Sequence, residues 1–135
     1  MLENPLLGVG AGAFEVAEGS LHQGVGKWNA PHNSFIQVGA ELGVGGLVLF
    51  VFLIYRAVKN CRTVIRLARN DSRLQPYLCL GHGFEISLSA YIVAGSALSQ
   101  GYTSLLYFLI GMSVVLKGLI ANLEAPDQIA KGAPR

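Results

Sequence analysis

The sequence predicts an all-α membrane protein, three transmembrane helices preceded by a glycine-rich loop, and three observations carry that expectation. Only 13% of the 135 residues are charged and 52% are hydrophobic, with a mean hydropathy of +0.47, whereas ordinary soluble domains carry about 25% charged residues. The apolar residues gather in three runs, 35–55, 77–98 and 102–120. Each is close to the roughly 20 residues that a helix rising about 1.5 Å per residue needs to cross a hydrocarbon core about 30 Å thick. None of the runs alternates with the period of two that a lipid-facing strand requires, and three strands could not close an edge-free barrel.

Composition also excludes several classes. Ten Lys and Arg against eight Asp and Glu leave a net charge of +2, too balanced for an acidic disordered tail or a dedicated nucleic-acid binder. Two cysteines without CxxC spacing and three scattered histidines argue against a disulfide scaffold and against a Cys/His zinc site. No metal and no cofactor are expected, and the length allows one unit at most.

Taken in order, residues 1–34 form the loop segment. They hold Glu3, Glu15 and Glu18 against the single Lys27, which places them on the outer side. Gly8-Val9-Gly10-Ala11-Gly12-Ala13 superficially looks like a dinucleotide fingerprint. No strand precedes it and no βαβ unit fits, so a tight turn or re-entrant backbone near the membrane surface is expected there. Trp28 is an interface anchor. The first helix, 35–55, runs inward. Residues 56–76 form a basic cytoplasmic loop in which Arg56, Lys59, Arg62, Arg66, Arg69 and Arg73 face only Asp71. The positive-inside rule makes it a topology determinant, or else a short amphipathic helix on the inner leaflet. The second helix, 77–98, returns outward, and Ser99 to Gly101 turns the chain into the third helix, 102–120, as a helical hairpin. The tail, 121–135, carries Lys131, Pro126 and Pro134 and reads as a disordered cytoplasmic end. Cys61 and Cys79 both lie toward the cytoplasm and are expected as free thiols. The amino terminus has neither a basic region nor an apolar signal core, so further membrane helices are expected upstream of Met1.

The stretch PHNSFIQVGAELGVGG, residues 31–46, is the richest in chemistry. Asn33, Gln37 and Glu41 recur every four residues and share one helical face, with His32 beside its outer end. Gly39, Gly43 and Gly46 lie on roughly the opposite side, where such spacing admits a neighbouring helix closely. A carboxyl inside the apolar run costs a few kcal/mol unless protein or water receives it. Spacing alone leaves His32 open as an interfacial histidine, a helix-start hydrogen bonder or a functional group, and leaves Glu41 open as an inter-helix hydrogen bonder or part of a polar cavity. In the second helix His82, Glu85 and Ser89 share a face; a relay or ion path and a structural His–Glu pair both fit, and the structural reading is preferred.

His32-Asn33, nine residues, then Gly43-Val44-Gly45-Gly46 resembles the His-Asn/Ser/Gln, nine residues, Gly-x-x-Gly signature of the O-antigen ligase and polymerase family. Asn4-Pro5-Leu6-Leu7-Gly8-Val9-Gly10 is similar to the segment that opens the large periplasmic loop of that family, and GYTSLLYFLIGMSV, residues 101–114, to its closing helix. The resemblance covers residues 3 to about 120 and corresponds to the C-terminal portion of proteins with many more membrane helices.

The resemblance implies metal-independent glycosyl transfer at the periplasmic face of the bacterial inner membrane, from an undecaprenyl-diphosphate-linked glycan to an acceptor hydroxyl. It makes His32 the residue that activates the acceptor and puts Asn33, Lys27, Gln37, Glu41 and Trp28 in the substrate-binding region. The family grips diphosphate with arginines, yet residues 1–34 hold only Lys27 as a cation. Those arginines are expected on helices outside this chain, and the chain alone is expected to be inactive. The competing expectation is a small non-enzymatic multi-span protein or transporter-like subunit built on His82 and Glu85.

Overall fold

The computed structural model describes residues 6–21 and 32–132, and the regular elements among them are all helical. Helix α1 spans Phe14–Leu21, α2 Ser34–Asn70, α3 Gln75–Gly95 and α4 Ser104–Gly132, with a single 3-10 turn, Ser72–Leu74, before α3. Three stretches, Ser34–Asn70, Ser72–Gly95 and Ser104–Glu124, are long and apolar enough to cross a membrane. Val48, Phe52, Ile86, Val93, Phe108 and Val115 are all more than half exposed, as suits helices bathed in lipid rather than water.

Helix α2 is two limbs rather than one rod. Gly43 sits at φ 69° and ψ −171°, a combination essentially confined to glycine. In an unbroken helix Phe35 and Phe50 would lie about 22 Å apart along the axis. Their rings instead meet edge to face with centroids 5.7 Å apart. Residues 34–42 therefore fold back on the first turns after Gly43. The glycines make the return tight: a Cβ at Gly39 would stand 3.3 Å from Leu47 Cδ2, and one at Gly46 would overlap Leu42. The neighbouring helix that the glycine spacing calls for is thus the other limb of the same helix, and Gly43 serves as the elbow between the limbs.

The chain divides into two compact units. The first comprises Met1–Leu53 with Ala90–Thr103, and its interior is built from Val38, Ala40, Phe50 and Tyr91 with the buried polar residues Ser34 and Glu41.

The second comprises Ile54–Ser89 with Ser104–Arg135. Its core groups Val64, Ala68, Leu74, Leu116 and Ile120, flanked by Leu67, Tyr77, Leu78 and Phe84. Between helices in lipid, close packing replaces hydrophobic drive, and Gly81 provides it here: a Cβ there would come within 2.9 Å of Ile65 Cγ1 and 3.1 Å of Val64 Cγ1.

Two boundaries differ from those expected. The basic stretch 56–70 is helix, the continuation of α2, and only residues 71–74 interrupt the path to α3. No Gly or Pro lies between Arg56 and Asn70, and Ala57, Cys61, Val64, Ile65 and Ala68 are buried at helical spacing while Arg56, Lys59, Arg62, Arg66 and Arg69 are exposed. That stretch is an amphipathic helix with a packed face. It ends where Asp71 accepts from the Arg73 N–H at 2.9 Å, and Pro76 falls in the first turn of α3, where its missing N–H costs nothing. At the other end, α4 continues to Gly132, so the tail is helical well past Asn122. Cys61 is a buried free thiol and Cys79 an exposed one.

Candidate functional site

The chemistry-bearing residues of the first unit lie along the limb 34–42 of α2, from its start to the elbow. A helix that stops leaves its last carbonyls without partners, and the limb 34–42 stops at Gly43. The Ala40 carbonyl accepts from the Val9 N–H at 3.0 Å and the Glu41 carbonyl from the Gly10 N–H at 2.9 Å. The approach is close enough that a Cβ at Gly8 would strike the Glu41 carbonyl and one at Gly43 would strike the Leu6 carbonyl. Gly8, Gly10 and Gly12 all have positive φ, 69°, 104° and 74°, which lets alternate N–H groups of the loop turn toward one place.

That place is Glu41, whose residue surface is 2% exposed. Its Oε2 accepts from the Gly12 N–H at 2.9 Å and from the Tyr102 hydroxyl at 2.5 Å. Its Oε1 accepts a longer bond, 3.4 Å, from the Phe14 N–H, the first residue of α1. The carboxylate thus lies at the amino end of α1, where backbone N–H groups and the helix dipole favour negative charge. A buried carboxyl that the bilayer would penalise is held by three donors, and those donors fasten the glycine loop and Tyr102 to the elbow.

The far end of the same limb is fastened as well. Ser34, fully buried, donates from its hydroxyl to the Leu98 carbonyl at 2.6 Å and accepts from the Gln100 N–H at 2.8 Å. The Tyr91 hydroxyl donates to the Gln100 carbonyl at 2.6 Å. Gly101 packs against the limb, since a Cβ on it would sit 2.8 Å from Val38 Cγ2. The turn 96–103 therefore braces the limb at both ends, through Ser34 and through Glu41.

Asn33 is the N-cap of the limb: its Oδ1 accepts from the Phe35 N–H at 2.9 Å and the Ile36 N–H at 3.1 Å, the role that Asn fills best at a helix start. His32, directly before it, is exposed. Gln37 is half-buried, and its Oε1 is enclosed with no hydrogen-bond partner among the described residues. Lys27 and Trp28 lie outside the described residues. Of the residues singled out from the sequence, the structure thus engages Asn33 and Glu41 in caps and leaves the His32 ring on the surface. Ser34, Tyr91, Tyr102 and the loop glycines complete the arrangement. Ser34 and Tyr102 leave no mark in local spacing, because each makes its contact across more than 60 residues of sequence.

In the second unit Glu85 pairs with Arg62 at 2.8 Å, and Ser89 donates its hydroxyl to the Glu85 carbonyl at 2.8 Å. The carboxyl of Glu85 is thereby matched by a cation from α2 rather than by His82, the partner expected within its own helix. Among the described residues no three His, Cys, Asp or Glu side chains come together as metal ligands would.

The elements define a multi-span helical membrane protein with a glycine loop bonded to a helical elbow. Compared with known sequences, the chain is similar to a protein of Rickettsia conorii named as a candidate polysaccharide ligase, 26% identical over 99 residues, 67% of this chain and 23% of that one. It is similar also to proteins of the same designation from Rickettsia felis, 30% identical over 48% of this chain and 16% of that one, and Rickettsia bellii, 31% identical over 50% of this chain and 17% of that one. The chain spans less than a quarter of the length of these relatives. No family profile and no solved structure matches it.

Proposed function

We propose that the chain works as part of an inner-membrane glycosyltransferase of the O-antigen ligase and polymerase kind. In this reading it serves polysaccharide biosynthesis by passing a glycan from undecaprenyl diphosphate to an acceptor hydroxyl at the periplasmic face, with the tail in the cytoplasm. The observation that carries the reading is the placement of His32. It is exposed at the start of a limb whose next two residues are locked, Asn33 as the N-cap and Ser34 by two hydrogen bonds. The similarity to the rickettsial proteins supports it.

The reaction asks for a base that takes the proton from the acceptor hydroxyl as its oxygen attacks the anomeric carbon, and for cations that hold the departing diphosphate. An imidazole on a rigid support suits the first role, because its ordinary pKa lies near neutrality. Asn33 holds the helix start beneath it, and Gln37 lies one turn further along the same limb. Lys27 and Trp28, which precede His32 in sequence, serve charge and stacking on the sugar. Glu41 contributes at one remove, by fixing the glycine loop on the limb. The remaining diphosphate-binding cations come from helices outside this chain.

Replacing His32 with alanine in the intact transferase tests the assignment. Glycan transfer in membranes should fall by at least about 100-fold, the usual contribution of a general base, while expression and thermal unfolding stay unchanged because the side chain is exposed. Undiminished transfer would remove His32 from the mechanism.

A further inference from the structure

The outward stripe of α2 changes character along its length. Helical periodicity of about 100° per residue places Val44, Val48, Val51, Phe52 and Tyr55 within one arc; Lys59, Arg62, Arg66 and Arg69 continue that arc, and Arg56 lies beside its edge. The five apolar residues are 47% to 62% exposed, and the five cations are exposed too. Tyr55 stands at the junction with the Lys59 ammonium 6.0 Å from its ring centroid; an amphipathic aromatic beside a cation is the arrangement of a membrane–water boundary.

The cations are poorly matched within the protein. Arg62 is paired with Glu85, but no acid among the described residues pairs with Arg56, Arg66 or Arg69. On the opposite side of the same turns Ala57, Cys61, Val64, Ile65 and Ala68 are buried, so the helix cannot roll to hide its charges. A fixed row of guanidinium groups directly beyond a lipid-facing surface meets lipid phosphates before anything else, and guanidinium binds phosphate oxygens in bidentate fashion.

We infer that the stripe Arg56, Lys59, Arg66 and Arg69 binds the phosphate headgroups of anionic phospholipids, holding a few such lipids against α2. The function read from His32 is not needed for this. The test compares phosphatidylglycerol with phosphatidylcholine of the same acyl chains, offered in equal amounts to the full purified chain in mixed micelles, with retained lipid counted by native mass spectrometry. Retention of phosphatidylglycerol should exceed that of phosphatidylcholine by at least fivefold. The triple variant R56Q/R66Q/R69Q should bring the ratio near one, and R56K/R66K/R69K, which keeps the charges but not the bidentate fork, should fall between it and the unaltered chain. Circular dichroism controls for folding, which these exposed positions should leave intact. Equal retention of both lipids by the unaltered chain would overturn the inference, as would a preference that survives in the glutamine variant. Full displacement of phosphatidylglycerol by millimolar inorganic phosphate would also overturn it, by showing a site for free anions instead of lipid.

Discussion

Replacing Glu41 with alanine should release the glycine loop from the elbow. The carboxylate receives the Gly12 N–H at 2.9 Å, the Tyr102 hydroxyl at 2.5 Å and the Phe14 N–H at 3.4 Å. Hydrogen bonds to a charged group are worth about 1.5–3 kcal/mol each, and the longest of the three contributes little. Against them stands the relief of no longer burying a carboxylate, and Gly12 is exposed, so water can take its N–H once the carboxylate is gone. The net loss is about 2–3 kcal/mol for docking of residues 9–14. At about 1.4 kcal/mol per tenfold, that is a drop of roughly 30- to 150-fold in amide protection at Gly12 and Phe14. Hydrogen exchange resolved to single amides in detergent micelles reads it directly. Glu41→Gln, which keeps one acceptor oxygen, should fall between wild type and alanine. Tyr102→Phe alone should cost about 1 kcal/mol, and adding it to Glu41→Ala should cost less than that, since the two residues share one hydrogen bond. Exchange at Gly12 and Phe14 within twofold of wild type in Glu41→Ala would refute the reasoning.

Two further substitutions probe the elbow and the second unit. Gly43→Ala meets both a positive φ and the Leu6 carbonyl, so it should lower stability by about 3 kcal/mol or prevent accumulation of folded protein, checked by thermal unfolding and by yield of monodisperse protein. Arg62→Gln breaks the pair with Glu85, but the Arg62 side chain is 71% exposed, so the loss should be under about 1 kcal/mol in the same thermal measurement.

Much of the helical plan is visible in the sequence because lipid imposes it. Long apolar runs have few alternatives to helix, and the conformational freedom anticipated for the glycines from Gly8 to Gly12 is what the loop uses. The reversal at Gly43 is harder to see. Residues 35–55 look like one span because hydropathy registers the solvent a residue prefers, not the direction of the chain, and Gly39, Gly43 and Gly46 look alike until the conformation of each is known. The helix over 56–70 is half visible: its cations stand out, but the buried stripe of Ala57, Cys61, Val64, Ile65 and Ala68 between them mixes small residues with large ones and gives a weak apolar signal. At the elbow, the face shared by Asn33, Gln37 and Glu41 was legible. Its closure by Gly12, Phe14 and Tyr102 depends on contacts 27 to 61 residues apart, which local patterns do not encode.

The elbow also alters how much bilayer α2 can match. Residues 34–42 double back and add little depth, so the outward apolar band before the first cation consists of residues 44–55, at most about 18 Å along the axis. A hydrocarbon core is about 30 Å thick. The shortfall is a hydrophobic mismatch on one flank of the protein, which lipids relieve by thinning locally or by letting long cationic side chains reach outward. A helix that hydropathy would match to an average bilayer is therefore, on that flank, a helix for a thin one.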